Sequence, residues 1–549
     1  MTAPKRPELA KTFDPATFET KWFTQQEAAG YFKPESAAPG AEPFVLVIPP
    51  PNVTGRLHVG HALGRSLEDI LSRWRRMQGR AVLWLPGTDH AGIATQMVVE
   101  RELQKDQGKS RHDLGREAFV GLCREWAGAR RNDILNQIRR LGSSCDFTRE
   151  YYTLDEARSR AVRDVFCTLY HQGLAYRDRR MVNWCPRCAT VLSDLEVNHV
   201  EGSGHLWSLA YPLEDGSGEL VVATTRPETM LGDTALAVNP DDERYTAFVG
   251  KRVKLPLMER TIPVIADSFV DAAFGTGVVK VTPAHDPNDF ESGKRNNLES
   301  IQVIGFDGRM TAEAGAYAGL DRFDARKKVL KDLEAQGLRR GEKSHVYAVG
   351  KCQRCDTVLE PLLSLQWFVK IKPLAEKAVA AADAGEVRFS PESWKKTYDE
   401  WMRNIRDWCV SRQLWWGHEI PAWYDDRGNV FVPKPGEPDP DPALGWKRDP
   451  DVFDTWFSSW LMPLSVLGWP EKTKDFERFY PTSVLVTGFD ILFFWVARMI
   501  MAGCWFDGRV PFRDVVLHGL VRDEKGQKMS KTKNNVIDPL DMCDEFGAD

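Results

Sequence analysis

The chain alternates strand and helix signals at both of its ends and interrupts them with a long segment of another kind. Residues 44–48 and 81–85 are apolar strand patterns on either side of a helical one, and residues 483–487 and 515–517 flank a second helical pattern at 491–502. Such alternation is typical of a parallel sheet covered by crossover helices. We therefore predict an α/β fold. The absence of a GxGxxG sequence argues against a dinucleotide cofactor.

The first helical pattern predicts which side of its helix faces the sheet. Apolar side chains recur there at helical spacing, so we expect them to form the buried face. They are Leu63, Leu67, Ile70, Leu71 and Trp74.

The middle of the chain reads as a mostly β insertion. From Gly202 onward, short Val- and Thr-rich runs are broken by Gly and Pro, as in residues 219–225, 253–257 and 277–281. A chain of 549 residues is expected to form two or three domains. We assign residues 1–190 to an N-terminal segment with the first half of the α/β domain, 191–345 to the insertion, and 346–549 to the second half.

Four of the ten cysteines form two Cys-x-x-Cys pairs that flank the insertion. One such pair alone is more commonly an ordinary reduced or redox-active pair. Two matching pairs favour one tetrahedral zinc ion, which would staple the junction of the insertion. The predicted ligands are Cys185, Cys188, Cys352 and Cys355.

Charge and hydropathy restrict the class of protein only loosely. The net charge of −5 gives no sign of a nucleic-acid partner, which local basic patches would have to hold. The most apolar stretch, residues 483–505, is interrupted by Thr487, Asp490 and Arg498, and the N-terminus is polar. We expect a cytoplasmic protein without a membrane partner.

Two polar segments near opposite ends of the chain look like parts of one ATP site. His58 and His61 lie around a glycine just after the strand pattern 44–48, where helix-start amides face a phosphate. The second segment is a loop whose ammonium groups and hydroxyl can neutralise a pyrophosphate leaving group. Its residues are Lys528, Ser530, Lys531 and Lys533. Each segment alone is commonly an ordinary helix start or a solvated turn. In this order they resemble the two signatures of class I aminoacyl-tRNA synthetases.

Four further segments resemble the valyl-tRNA synthetase family within that class. They begin at Pro49 (PPPNVTG), Gly87 (GTDHAGIATQ), Asp407 (DWCVSRQLWWGH) and Asp454 (DTWFSS). Motif matches extend from about residue 13 to the last residue. Two departures lie in the lysine loop, where Thr532 replaces the usual serine and Asn534-Asn535 replaces Gly-Asn. Threonine keeps the hydroxyl, so we expect a working loop.

The resemblance implies a doubly wound sheet with its site at the switch point, and activation of valine by ATP with Mg²⁺ before transfer to valine tRNA. His58 and His61 would contact the phosphates, and Lys528, Ser530 and Lys531 the pyrophosphate. Asp89 would bind the substrate ammonium, although an isolated aspartate is more commonly a cap or a turn residue. The remaining residues of the valine pocket would be Pro49, Pro50, Asn52, Trp456 and Trp495.

The insertion resembles the editing domain of valyl, isoleucyl and leucyl enzymes through two segments, TTRPET from Thr224 and FGTGVVKVTPAHDPND from Phe274. A pocket shaped for valine cannot strongly reject isosteric threonine, so a second site must hydrolyse threonyl-tRNA. Asp286 and Asp289 would take the substrate hydroxyl and ammonium, and Asp289 is favoured for the ammonium. The HDPND run alone would be read as an Asx turn. The other predicted editing residues are Thr224, Thr225, Arg226, Phe274, Lys280 and Thr282.

Several alternatives stay open. A small nucleotidyltransferase would lack the editing and DWCVSRQLWW segments, and a non-catalytic paralogue would be expected to lose signature residues. Isoleucyl-tRNA synthetase is the nearest alternative within the class. The chain stops shortly after the lysine loop, where the family continues into a helical anticodon-binding domain, so we expect a fragment. A fragment that retains only valine activation is a further alternative. A monomer is expected.

Overall fold

The computed structural model describes residues 14–527, 529 and 535–548, and these form two compact units. The first unit comprises the chain up to Tyr176 and from Val369 onward, and the second is Arg177–Phe368. The second unit thus interrupts the sequence of the first.

Parallel strands form the centre of the first unit. Pro43–Val47 pairs with Ala81–Leu85, and Phe512–His518 lies between Arg388–Ser390 and Thr482–Gly488. The two groups meet where the Val45 amide donates a 2.9 Å hydrogen bond to the Ser483 hydroxyl. The first and second halves of the α/β pattern therefore lie side by side. This confirms the predicted α/β class with a parallel sheet.

Helices cover this sheet, and the segments that connect its elements contain short strands. The α-helices are Glu19–Ala28, Val59–Met77, Gly92–Gln107, Arg111–Leu114, Arg116–Arg140, Glu156–His171, Lys372–Asp383, Ser393–Arg403, Thr455–Ser459, Met462–Ser465, Lys474–Phe479, Ala497–Ala502 and Pro539–Phe546. The short strands are Gly87–Thr88, Tyr151–Tyr152, Trp408–Cys409, Ser411–Arg412, Trp423–Tyr424, Val430–Phe431, Lys447–Arg448 and Val452–Phe453.

The helix Val59–Met77 does not bury the predicted apolar face. Ile70 and Trp74 are 63% and 49% exposed, whereas Arg65 and Glu68 are buried. The buried face can be polar because the Arg65 guanidinium pairs with the Glu68 carboxylate at 3.1 Å. Burial raises the pKa of Glu68 to about 8. Leu67 and Leu71 do pack against the core, as predicted, while Leu63 is exposed.

The predicted helix at 491–502 is irregular. It consists of a π-helical turn, Leu492–Val496, followed by the α-helix Ala497–Ala502 and a second π-helical turn, Gly503–Asp507. By length and composition alone, Phe489–Asp507 could cross a membrane, with a mean hydropathy of 1.5. However, 61% of that window is buried inside the fold, as in the core helix of a globular protein.

The second unit is mostly β. A mixed sheet orders Arg252–Lys254, Thr261–Ala266, Ala235–Val238 and Val278–Val281. A long antiparallel ribbon pairs Val197–Pro212 with Arg339–Cys352, from Leu209 opposite Arg339 to Val197 opposite Cys352. The remaining strands are Ala175–Cys185, Thr190–Leu192, Glu219–Thr224 and Glu360–Val369, and the α-helices are Pro287–Arg295 and Arg322–Ala335.

Candidate functional site

The two predicted histidines cap the helix Val59–Met77. The Nδ1 atom of His58 accepts a hydrogen bond from the Gly60 amide at 3.1 Å, and the His58 amide donates to Nδ1 of His61 at 3.2 Å. Their ring centroids are 4.0 Å apart. The helix is the next regular element after the strand Pro43–Val47. Its positive N-terminal end is suited to phosphate.

The segments around the lysine loop lie close to this helix start. The predicted loop residues themselves, Lys528, Ser530, Lys531 and Lys533, lie outside the described residues. A hydrogen bond joins the two sides of the loop: the side-chain amide of Asn535, which follows the loop, donates to the carboxylate of Asp523, which precedes it, at 2.7 Å. The Val59 amide donates to the Ile537 carbonyl at 3.1 Å. The chain that follows the lysine loop is therefore bonded to the residue that follows His58.

Asp89 follows the second strand of the sheet and lies in a buried, hydrogen-bonded niche. Its Oδ1 accepts from the Ala91 amide at 2.7 Å and from the Thr153 hydroxyl at 3.3 Å, and its Oδ2 accepts from the Ser459 hydroxyl at 2.7 Å. The side chain is nearly inaccessible. Burial raises the pKa of Asp89 to about 6, against the three hydrogen bonds, which lower it. A cation placed here would find a carboxylate that is preorganised and poorly solvated.

The segment after the first strand runs alongside Asp89. The Asp89 amide donates to the Pro51 carbonyl at 2.9 Å, and the Val53 amide donates to the Asp89 carbonyl at 3.1 Å. The backbone of the two predicted pocket segments is therefore directly joined. Within the first segment, the prolines are half-buried and the asparagine is exposed. These residues are Pro49, Pro50 and Asn52.

The two predicted tryptophans lie in different environments. Trp495 is only 1% exposed, and its indole N–H donates to the Ser459 carbonyl at 2.9 Å. Trp456 is half-buried on the same short helix as Ser459, with its ring centroid 5.3 Å from that of Phe494. Trp495 thus holds the backbone of the serine that bonds Asp89.

Three residues around Asp89 were not predicted from sequence. Ser459 and Thr153 donate hydrogen bonds to its carboxylate, and the amide and Nδ1 of His90 lie 2.9 and 2.8 Å from the Thr153 hydroxyl. Burial lowers the pKa of His90 to about 3, so its ring is neutral. Ser459 is the last residue of the DTWFSS segment, so that motif could have identified it as a residue of the site. Thr153 belongs to no motif that sequence analysis singled out.

In the second unit, a buried polar cluster forms around Lys280. Its ammonium donates to the hydroxyls of Thr282 at 2.7 Å and Thr229 at 2.8 Å, and the Thr282 hydroxyl donates to Asp233 at 2.6 Å. The Thr282 amide donates to the Asp289 carboxylate at 2.8 Å. Burial raises the pKa of Asp289 to about 7. The cluster can bind a polar ligand and move a proton near neutral pH.

Asp286 and Asp289 have different surroundings. Asp286 caps the helix Pro287–Arg295, since its Oδ1 accepts from the amides of Asn288 at 2.8 Å and Asp289 at 3.2 Å. The expected turn chemistry is therefore present at Asp286. Asp289, one helical turn further, faces the Lys280 cluster instead.

Arg226 is engaged with protein groups. Its guanidinium pairs with Glu360 and donates to the His285 carbonyl at 3.1 Å, and its amide donates to the Thr224 hydroxyl at 3.0 Å. Since His285 precedes Asp286, this guanidinium fixes the turn on which both aspartates lie. Arg226 itself is half-buried, and its partner Glu360 is buried.

Phe274 and Thr225 complete the predicted set in this unit. Phe274 is 50% exposed, and its ring centroid lies 5.9 Å from that of His345. Thr225 is half-buried. Within residues 14–527, neither side chain shares a hydrogen bond with Lys280 or its partners.

The four predicted cysteines come together in the second unit. The Sγ atoms of Cys355 and Cys185, and of Cys355 and Cys188, are 3.5 Å apart, and those of Cys188 and Cys352 are 3.9 Å apart. Four thiolates at about 2.3 Å from one zinc ion would be separated by about 3.8 Å. The Cys188 amide also donates to Sγ of Cys185 at 3.4 Å. The donor set and spacing fit a tetrahedral metal ion.

The sequence of this chain is similar to those of known aminoacyl-tRNA synthetases. The family described as tRNA synthetases class I (I, L, M and V) matches residues 21–437 and 441–549. The chain is 57% identical over 549 residues to the valine–tRNA ligase of Syntrophotalea carbinolica, covering 100% of this chain and 61% of that protein. It is 55% identical over 548 residues to the valine–tRNA ligase of Thermotoga maritima, covering 99% and 63%. The chain therefore spans less than two thirds of the length of these relatives.

Solved structures show the same fold at lower identity. The LeuRS of Agrobacterium radiobacter K84 agnB2, in a ternary complex with tRNA and LeuAMS, superposes with a TM-score of 0.53 at 18% identity, over 98% of this chain and 72% of that one. The methionyl-tRNA synthetase of Mycobacterium tuberculosis bound by methionyl-adenylate superposes with a TM-score of 0.50 at 14% identity, over 92% and 63%. These likenesses concern the fold alone.

Proposed function

Because this chain belongs to the family tRNA synthetases class I (I, L, M and V), we propose that it activates valine with ATP and transfers it to valine tRNA. We further propose that the second unit hydrolyses mischarged threonyl-tRNA. Identity of 55–57% to valine–tRNA ligases over almost the whole chain supports valine as the substrate. The observation that carries the proposal is the buried Asp89 carboxylate, which accepts hydrogen bonds from the Ser459 and Thr153 hydroxyls and the Ala91 amide.

Asp89 binds the ammonium of valine in this proposal. Hydrogen bonds from Ser459, Thr153 and the Ala91 amide orient both carboxylate oxygens before substrate arrives. An ammonium beside a desolvated carboxylate interacts more strongly than in water, so the amino acid is held at one end. The side-chain pocket is made by Pro49, Pro50, Asn52 and Trp456, with Trp495 supporting Ser459 from behind.

Activation requires attack of the valine carboxylate on the α-phosphate of ATP with departure of pyrophosphate. No protein nucleophile is needed, so positioning and charge neutralisation supply the catalysis. We assign the phosphates to His58, His61 and the helix start that they cap, together with Mg²⁺. Lys528, Ser530 and Lys531 act on the pyrophosphate. The bond between Val59 and Ile537 supports this assignment, because it brings the end of the lysine loop to that helix start.

In the second unit, we assign the threonyl ester to the Lys280 cluster. Asp289 binds the substrate ammonium, and Asp286 positions its hydroxyl from the adjacent turn. Lys280 and Thr282 line the polar pocket, and Arg226 and Thr224 hold its wall. Thr225 and the half-exposed Phe274 contact the tRNA end.

Cys185, Cys188, Cys352 and Cys355 would hold one zinc ion in this unit. When bound, such an ion supplies folding stability and takes no part in the reaction. We propose a cytoplasmic monomer.

Valine-dependent and isoleucine-dependent ATP–pyrophosphate exchange on this chain tests the function. We expect exchange with valine and little with isoleucine. Preference for isoleucine would favour the isoleucyl enzyme instead. Exchange without either amino acid would indicate another nucleotidyltransferase, and no exchange with either would contradict activation by this chain.

A further inference from the structure

A carboxylate of the second unit that sequence analysis did not single out lies between two guanidinium groups. Glu360 begins the strand Glu360–Val369 and is only 2% exposed. One of its oxygens pairs with the Arg226 guanidinium, and the other lies 2.7 Å from Nε of Arg322. Arg322 is buried and also donates to the Val358 carbonyl at 3.1 Å. One buried carboxylate therefore holds two guanidinium groups, and removing its charge would leave both with less compensation.

The neighbouring carboxylate, that of Glu228, is bonded mainly to another arginine. Glu228 is fully buried, and its two oxygens accept from Nε and Nη2 of Arg326, both at 2.7 Å. The Nε atom of Arg226 lies 3.6 Å from the Glu228 carboxylate, which is too far for a hydrogen bond. Glu360 is therefore the carboxylate that fixes the direction of the Arg226 guanidinium.

Arg226 contacts both halves of the proposed hydrolytic site. Its guanidinium donates to the carbonyl of His285, the residue before Asp286, at 3.1 Å. Its own carbonyl accepts from the Thr229 hydroxyl at 3.0 Å, and that hydroxyl accepts from the Lys280 ammonium at 2.8 Å. A single residue thus joins the segment that carries the two aspartates to the lysine.

A second contact anchors residues 285–289, which we call the aspartate turn. The His285 ring is buried, and its Nε2 accepts from the amides of Val303 at 2.9 Å and Ile304 at 3.3 Å. The ring fixes where the turn lies in the unit. The Arg226 guanidinium, by contrast, bonds the backbone carbonyl from which the turn continues, so it acts on the orientation of the aspartates that follow.

We propose that Glu360 is a positioning residue for the hydrolysis assigned to the second unit, acting through Arg226 on the aspartate turn. This role rests on the proposed function of that unit. A reacting group displaced by about 1 Å can lower a rate about 100-fold, so a contact outside the site can set the rate within it. The Arg226 side chain is 26% exposed, so it has solvent to turn into once the Glu360 charge is removed.

The test is hydrolysis of threonyl-tRNA added in trans to the full chain. The ratio kcat/KM is measured for the unsubstituted protein, Glu360→Gln, Arg226→Gln and the double variant. We expect Glu360→Gln to lower kcat/KM about tenfold or more and to leave valine-dependent exchange unchanged, because exchange is assigned to the other unit. In the Arg226→Gln background, Glu360→Gln should have no further effect, since its contribution passes through that guanidinium. Hydrolysis by Glu360→Gln at the unsubstituted rate, or equal fold losses in both backgrounds, would overturn the role of Glu360.

Glu228→Gln is the matched control, because it also removes a buried carboxylate that pairs with an arginine. We expect a similar fall in melting temperature and a much smaller loss of hydrolysis than in Glu360→Gln. Equal losses of hydrolysis would mean that the charge cluster acts through stability alone and would refute positioning. If Glu360→Gln does not fold, Glu360→Asp takes its place in the same comparisons, because it keeps the charge but withdraws it from Arg226 by one methylene group.

Amide hydrogen exchange, measured by mass spectrometry, separates this role from the proposed hydrolysis. The Thr282 amide donates to the Asp289 carboxylate, so its exchange reports whether the aspartate turn keeps its orientation. Peptides that contain Thr282 should exchange faster in Glu360→Gln than in the unsubstituted chain. Faster exchange in a chain that does not hydrolyse threonyl-tRNA would support positioning and contradict hydrolysis. An unsubstituted chain that hydrolyses threonyl-tRNA, with a variant unchanged in both exchange and rate, would support hydrolysis and refute positioning.

Discussion

Replacing Ser459 by alanine should move the pH dependence of valine binding upward. The Ser459 hydroxyl donates to the Asp89 carboxylate at 2.7 Å, and the Thr455 carbonyl, at 3.0 Å, is a longer and uncharged alternative acceptor. A hydrogen bond to a buried charged group contributes about 1.5–3 kcal/mol. Since 1.36 kcal/mol corresponds to a tenfold change in proton affinity, its loss should raise the pKa of Asp89 from about 6 to about 7–8.

The sign of the effect follows from which form binds. In the proposed site, only the ionised carboxylate of Asp89 attracts the valine ammonium. Valine binding should therefore be lost as pH falls through the pKa of Asp89, and a higher pKa should move that loss to higher pH. At pH 7 a group with a pKa of about 6 is about nine-tenths ionised, whereas one at about 7–8 is about one-half to one-tenth ionised. The KM for valine at pH 7 should therefore rise about two- to tenfold in Ser459→Ala and return toward the unsubstituted value at pH 8.5.

The assay is valine-dependent pyrophosphate exchange from pH 5.5 to 8.5, with KM and kcat fitted at each pH. Ser458→Ala is the matched control, because Ser458 is buried on the same helix but donates to the Thr455 carbonyl and not to Asp89. If Ser459→Ala changed KM equally at every pH, or if Ser458→Ala shifted the profile as far, the hydrogen bond would not be what sets the ionisation of Asp89.

Three other substitutions test the remaining assignments. Asp289→Ala should leave valine activation nearly intact and slow hydrolysis of threonyl-tRNA added in trans by about 10²-fold, because the two sites lie in different units; deacylation at the unsubstituted rate would reject its role. Cys352→Ser should lower the zinc content found by elemental analysis of protein purified without added metal, and should lower the melting temperature; unchanged zinc would exclude the cysteine as a ligand. Lys531→Ala should lower kcat of exchange by about 10²-fold or more with little change in KM for valine, because its contact with pyrophosphate forms mainly in the transition state; a selective rise in KM would place it on the amino acid instead.

The α/β fold was predictable because its signals are local. The predicted strands at 44–48 and 81–85 appear as Pro43–Val47 and Ala81–Leu85. A short apolar run is buried, and a buried backbone must have its hydrogen-bonding groups paired. A strand within a sheet pairs them, so runs of this length between helical patterns predict strands.

The buried face of the helix Val59–Met77 was not predictable in the same way. Hydrophobic periodicity placed Ile70 and Trp74 inward, but the sheet is met by Arg65, Glu68 and small residues. A buried pair of polar side chains reverses the usual rule for which residues face the core, and no pattern of apolar positions reveals it. The prediction was correct for Leu67 and Leu71, which pack against the hydrophobic core.

The residues of the candidate sites also differ in whether sequence alone could identify them. Asp89 and the four cysteines could be singled out because each lies within a short, chemically distinctive segment. Ser459 and Thr153 contact Asp89 from 370 and 64 residues away, so their role depends on tertiary structure. The roles of the lysine-loop residues stay predictions.

The long ribbon of the second unit has a consequence for how such a chain can change over evolutionary time. Val197–Pro212 and Arg339–Cys352 run antiparallel, with Val197 opposite Cys352, so the two ends of everything between them lie side by side. A segment whose ends are neighbours can lengthen, shorten or be exchanged without stretching the chain on either side of it, and the entropy of closing it grows only with the logarithm of its length. The ribbon therefore makes the segment between its two strands replaceable, so the hydrolytic activity that we propose for the second unit would be gained or lost as a single insertion.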